Sequence, residues 1–142
     1  MYNGGYLIAQ ISKMTDRRIN EILKKENIKG FNSAQARLMM AFYYEEELSI
    51  KDVCELTGLA KTTLTSMLNR MEKQGLVKKY PSKEDRRVTK VKLTPKARDL
   101  EKYYAVISRN MKKQYYKGFT KQEIKDFEDT LRKILKNLTE TD

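Results

Sequence analysis

The chain contains no histidine and a single cysteine, Cys54. The first absence removes the usual imidazole base and the commonest zinc ligand. The second leaves no partner for an internal disulfide. No apolar run approaches the roughly 20 residues of a membrane-spanning helix. No basic segment precedes an apolar core near the N-terminus, as a secretory signal would require. The expected compartment is the cytoplasm, with no membrane partner. Nucleophile–base pairs, phosphate-binding loops and metal motifs are missing as well, so hydrolase and transferase chemistry has nothing to rest on. The expectation is a protein that is not an enzyme and that uses no cofactor and no metal.

Positive charge is abundant. The sequence carries 30 Lys and Arg against 19 Asp and Glu, a net +11 over 142 residues. An excess of this size points to an anionic partner, nucleic acid before membrane surface. Its distribution is uneven. Residues 1–45 carry 7 basic and 4 acidic side chains, residues 46–98 carry 13 and 7, and residues 99–142 carry 10 and 8. The middle third thus holds more than half of the excess. With 39% hydrophobic and 35% charged residues, the chain is polar for a globular protein. Long helices that bury one stripe in the core and the rest of their apolar surface in a dimer suit this balance.

The basic middle has the order of a helix-turn-helix followed by a β-wing. Ser49 caps a first helix, with Asp52 at its third helical position and Ile50, Val53, Cys54 and Leu56 facing inward. Thr57-Gly58 ends it, because Gly58 tolerates the positive φ of a tight turn. Leu59 plugs the gap between the two helices. The second helix runs from Ala60 to Lys73 and buries Leu64, Met67, Leu68 and Met71 at 3.6-residue spacing. Its other side offers small hydroxyls, an amide and cations: Lys61, Thr62, Thr63, Thr65, Ser66, Asn69 and Arg70. Small side chains let the backbone approach a major groove, Asn can pair bidentately with adenine, and Arg or Lys can reach guanine or phosphate.

Two strand-like runs, 76–80 and 88–93, enclose a charged tip at 82–87. Val91 and Leu93 share one face of the second run, Lys90 and Lys92 the other. Pro81 breaks the first run, as at an edge. The tip reads as too polar for the core and longer than a tight hairpin needs. Lys83, Arg86 and Arg87 are candidate contacts to phosphate or a narrow minor groove. Asp85 would repel phosphate and reads instead as a brace for one of the arginines.

Helices are expected on both sides. Leu7, Ile8, Ile11, Met14, Ile19, Ile22 and Leu23 give residues 6–26 an amphipathic pattern, and a turn containing Gly30 follows. Asn32 and Gln35 form a capping-box pair for a helix to about Glu46, with Leu38, Met39, Ala41, Phe42 and Tyr43 on its apolar face. Thr94-Pro95 opens a long helix to about Lys117, capped by Thr94, with a stripe through Leu100, Tyr103, Tyr104, Ile107, Met111 and Tyr115. Thr120 and Glu123 start the last helix, where Ile124, Phe127, Leu131, Ile134, Leu135 and Leu138 make a short coiled-coil-like seam. Cys54 reads as a buried structural thiol rather than a redox sensor. Packing accounts for the nine tyrosines, including the pairs Tyr43-Tyr44, Tyr103-Tyr104 and Tyr115-Tyr116, and a ligand-lining role for some of them stays open. The expected architecture is mainly α with a small β-wing (α+β): a DNA-binding unit at 32–94, flanked by dimerisation helices at 1–31 and 95–142.

Residues 59–65, the exit Glu72-Lys73-Gln74-Gly75-Leu76-Val77, the tip Asp85-Arg86-Arg87 and the close Leu93-Thr94 together resemble the MarR-type winged helix-turn-helix transcriptional regulators. The resemblance covers nearly the whole chain. It implies a homodimer with intertwined terminal helices bound to pseudo-palindromic double-stranded operator DNA. The helix from Ala60 would enter the major groove, and Arg87, with Arg86, the minor groove. It also implies repression released by a small aromatic effector. Two positions depart from the family pattern. Ala60 stands where a Ser-like cap is usual, and Ser66 where many members carry Arg. The competing expectation is a winged-helix protein-interaction module with nonspecific nucleic-acid affinity.

Overall fold

A computed structural model describes residues 1–42 and 45–140. These form helices α1 (Gly4–Lys25), α2 (Ser33–Ala41), α3 (Ile50–Thr57), α4 (Lys61–Lys73), α5 (Arg98–Tyr115) and α6 (Lys121–Thr139), with strands β1 (Glu47–Ser49), β2 (Val77–Pro81) and β3 (Thr89–Leu93). The strands make an antiparallel sheet of order β1-β3-β2. The result is mainly α with a small wing.

Local chemistry fixes three of the six helix starts among the described residues. Asn32 accepts from the Gln35 amide at 2.9 Å and Gln35 returns the bond to the Asn32 N–H at 3.0 Å, closing a capping box on α2. Thr120 and Glu123 do the same for α6: Thr120 accepts from the Glu123 N–H at 3.1 Å and Glu123 from the Thr120 N–H at 2.9 Å. Ser49 accepts from the Asp52 N–H at 3.0 Å and starts α3. Gly58 ends α3 in the left-handed conformation, φ 69°.

The core lies beneath α4. Leu38, Val53, Leu64, Leu68, Met71 and Val91 are its largest fully buried side chains. They are drawn from α2, α3, α4 and β3, so α4 packs its apolar stripe against both the sheet and the other helices. At the other end Tyr116 packs edge-on against Phe119 and Phe127. Its hydroxyl donates to Glu128 Oε1 at 2.8 Å. Burial, followed by this carboxylate, pushes the phenol up to about 12.

Several details differ from the sequence reading. Helix α2 ends at Ala41 rather than near Glu46, and Glu47–Ser49 joins the sheet as a third strand paired with Val91 and its neighbours. Tyr43 and Tyr44 lie outside the described residues. Leu56 faces solvent at 54% exposure, and Thr57 takes the inward place, because its hydroxyl donates to the Val53 carbonyl at 2.6 Å. Cys54 is half-buried at the edge of the core rather than fully buried. Thr94 does not cap α5. Residues 95–97 form a 3₁₀ turn and α5 starts at Arg98, while the Thr94 hydroxyl donates to the Gly75 carbonyl. Pro81 closes β2 opposite Thr89 at the sheet edge, where its missing N–H costs no ladder bond. Ser82, at the wing tip, is 7% exposed. Its N–H donates to Val88 O at 2.8 Å and its hydroxyl accepts from the Glu84 N–H at 3.3 Å, so burial leaves it satisfied.

Candidate nucleic-acid interface

Helix α4 presents two unlike sides. Leu64, Met67, Leu68 and Met71 are buried, while Lys61, Thr62, Thr63, Thr65, Ser66, Asn69 and Arg70 are all exposed. The turn that aims the helix is short. The Thr57 hydroxyl accepts from the Leu59 N–H at 3.2 Å, and Leu59 packs against the core. The turn is thereby tied to both helices.

The start of α4 is bare. Ala60 has φ −63° and ψ 144°, the extended geometry of a capping residue, but supplies no side-chain bond, and the first turn holds no acid. The positive end of the helix dipole and Lys61 therefore coincide. Ala60→Ser is expected to add the missing acceptor, worth about 1 kcal/mol, and to raise the thermal midpoint by roughly 3 °C. A melting curve that does not move upward would contradict this account of the helix start.

The end of α4 is secured by residues beyond the helix. Lys96 Nζ donates to Gln74 O at 2.8 Å, and Thr94 holds Gly75 O. The cation also suits the negative end of the helix dipole. On the flank, the Lys79 N–H of β2 donates to Glu72 Oε2 at 3.1 Å, and Lys79 Nζ donates to Asn69 Oδ1. The helix is thus fixed to the wing strand by side chains. Glu72, Lys79, Thr94 and Lys96 escape a reading of the sequence, since no periodic pattern links residues seven to 22 positions apart.

In the wing, Tyr80 donates to Glu47, and Lys92 Nζ lies 5.4 Å from the centre of the Tyr80 ring. The tip is shaped by a turn in which the Val88 N–H donates to Asp85 O at 2.9 Å. Asp85 holds Arg87 in a fork: Nε to Oδ1 at 3.1 Å, Nη2 to Oδ2 at 3.1 Å, with the Arg87 N–H also on Oδ1 at 3.1 Å. The Arg87 side-chain bonds, then its backbone bond, hold the Asp85 carboxyl below its ordinary value. With the folded value depressed, the fork persists above the usual carboxylate range and is lost as pH falls through the lowered value. The Arg87 side chain is nevertheless 91% exposed, so the fork orients the guanidinium without hiding it. Lys83 and Arg86 are exposed and have no ion-pair partner among the described residues.

Among the described residues, no group of acidic or cysteine side chains is placed to hold a metal. No described helix is long and apolar enough to cross a membrane.

Helix-turn-helix, bare recognition-type helix and cation-tipped wing together define a winged helix-turn-helix protein. Comparison with known proteins shows what the chain is similar to. The MarR family model matches residues 29–88. The transcriptional repressor IacR of Pseudomonas putida is 24% identical over 133 residues, covering 94% of this chain and 78% of that protein. A crystal structure of an Escherichia coli MarR variant complexed with operator DNA superposes with a TM-score of 0.72 at 25% identity, over 92% of each chain. A structure of Bordetella bronchiseptica BpsR, concerned with regulation of its DNA binding by 6-hydroxynicotinic acid, matches at a TM-score of 0.67 and 21% identity, over 90% of this chain and 98% of that one. Over residues 29–88 the chain matches the MarR family model, and along most of its length it is similar to regulators of that family.

Proposed function

We propose that the chain is a homodimeric, sequence-specific DNA-binding repressor. In this reading residues 32–94 hold the operator, and residues 1–31 and 95–142 hold the two copies together. The observation that carries it is the division of α4 into a buried apolar stripe and an exposed face of hydroxyls, an amide and cations. Lys61, Thr62, Thr63, Thr65, Ser66, Asn69 and Arg70 would face the major groove, and Lys83, Arg86 and Arg87 the backbone and minor groove, with Asp85 orienting Arg87. The operator complex of the Escherichia coli relative supports this placement.

The dimer is supported by apolar surface that the single chain leaves uncovered. No residue of α6 is buried, although its apolar positions repeat at helical spacing. Leu135 and Leu138 are 62% and 77% exposed, and Leu7, Ile8, Ile11 and Met14 of α1 are exposed too. A two-fold dimer would place its two α4 helices in successive major grooves of a pseudo-palindrome, about 34–36 Å apart.

Release by an aromatic acid is supported by a cleft of about 720 Å³ between α2, β3 and α5. Met39, Phe42 and Leu93 give it apolar walls, Tyr104 an aromatic one, and Arg109 and Lys112 supply cations. An apolar slot lined by three cations, with Lys113 as the third, and one acid, Glu101, fits an aromatic carboxylate. BpsR, whose DNA binding is regulated by such a molecule, is a structural relative. Salicylate or a hydroxynicotinate is expected to weaken operator binding several-fold, and Arg109→Ala to remove the response. Unchanged operator affinity across a series of aromatic acids would contradict the release proposal.

The test of DNA binding is anisotropy against operator and random duplexes over a salt series. Affinity should fall steeply with salt on both, while the operator stays at least about a thousand-fold tighter. Equal affinity for all sequences would instead favour an interaction module with a nonspecific basic surface.

A further inference from the structure

The orientation of Asn69 is set from outside its own helix. Lys79 Nζ donates to the Asn69 side-chain oxygen. An ammonium only donates, so the amide atom turned toward it must be the oxygen, and the two N–H bonds of Nδ2 are left for other partners. Lys79 is itself held by Glu72, through its backbone N–H at 3.1 Å and through Nζ at 3.7 Å from Oε1. Its side chain is only 24% exposed, whereas Asn69 lies on the open face of α4. Glu72, Lys79 and Asn69 thus form one connected chain between β2 and the helix.

This connection changes what Asn69 offers to a base. An asparagine free at both ends pairs with adenine: its oxygen accepts from N6 and its nitrogen donates to N7. When the oxygen is turned toward an ammonium, one of its two lone pairs is taken and an adenine N6 donor would have to approach beside the cation, which weakens that pairing. Two donors remain, and guanine presents two acceptors, O6 and N7, on its major-groove edge.

We propose that Lys79 turns the Asn69 oxygen toward itself and presents the Nδ2 donors to the base, so that this position of α4 selects guanine over adenine in the operator. The inference rests on the placement of α4 in the major groove proposed above. Lys79 is a positioning residue, since it acts through Asn69.

The test is selection of binding sites from random DNA with the full-length wild type, Lys79→Met and Asn69→Ala. Methionine keeps most of the stem and removes the ammonium. The wild type should show guanine at one position of each half-site. Lys79→Met should shift the guanine-to-adenine ratio there by roughly tenfold toward adenine, leaving other positions alone. Asn69→Ala should flatten the same position. If Lys79→Met weakens binding equally on every sequence with guanine retained, Lys79 is a phosphate contact and the proposal is overturned. Asn69→Ala sits at an exposed position and decides the matter independently if Lys79→Met does not fold: guanine surviving it overturns the proposal. A flat wild-type profile overturns the DNA-reading proposal and this one together. A selective wild type with unmoved variants overturns this one alone.

Discussion

Leu135→Asp combined with Leu138→Asp is expected to turn the protein into a monomer and to lower operator affinity by at least about a thousand-fold. Both leucines lie mostly open on α6 in the single chain, and no α6 residue is buried. Replacing them therefore removes little from the fold of one copy. In a dimer the same surface would be covered, and a carboxylate there would be buried without a partner. The functional effect exceeds what the apolar area of two leucines would give. Once one half-site is bound, a dimer holds the second reading helix at high effective concentration over the other half-site. A monomer forfeits that gain and approaches nonspecific affinity. Sedimentation of the double variant, together with anisotropy on the operator, checks both parts. Helical content should persist, because the core of Val53, Leu64 and Leu68 is untouched. A variant that sediments as a dimer and binds with wild-type affinity would remove α6 from the interface.

The second large effect is expected at the wing. Arg87→Ala should weaken operator binding about thirtyfold without lowering the thermal midpoint. The side chain is 91% exposed and its partner, Asp85, is on the same turn, so the pair contributes little to folding. The binding effect counts twice, because a dimer carries two wings, and each arginine is worth roughly fivefold or more. Binding should fall on all sequences, and the dependence of log affinity on log salt should become shallower by about one for each cation removed. Arg87→Lys should recover only part of the affinity, since an ammonium cannot form the fork that aims the guanidinium. A lower melting temperature with unchanged affinity would make Arg87 a structural residue instead.

The parts of the fold visible in the sequence are those governed by neighbours along the chain. The capping boxes Asn32–Gln35 and Thr120–Glu123, the Ser49 cap and the Gly58 turn each need only three or four residues, and all four are present. The stripe Leu64, Met67, Leu68 and Met71 is a helical period and is buried as spaced. Strand β1 is not visible in this way, because three residues are too few to show alternation and its pairing with β3 spans more than 40 positions. Leu56 and Thr57 exchange places because a threonine hydroxyl satisfied by the Val53 carbonyl can be buried, which a hydrophobicity count does not register. The interface divides along the same line. The exposed face of α4 follows from its period. The links from Lys79 to Asn69 and from Lys96 to Gln74 do not, since they depend on tertiary placement. The apolar positions of α6 are also legible, but within the single chain they stay uncovered.

The proposal of a two-fold reader of DNA is tested most directly by selecting binding sites from a random duplex pool with the wild-type protein. The expected result is an inverted repeat whose half-site centres lie about 10–10.5 base pairs apart, bound at least about a thousand-fold more tightly than random duplex. A pool that remains unselected, or that yields a single half-site without its inverted partner, would contradict it.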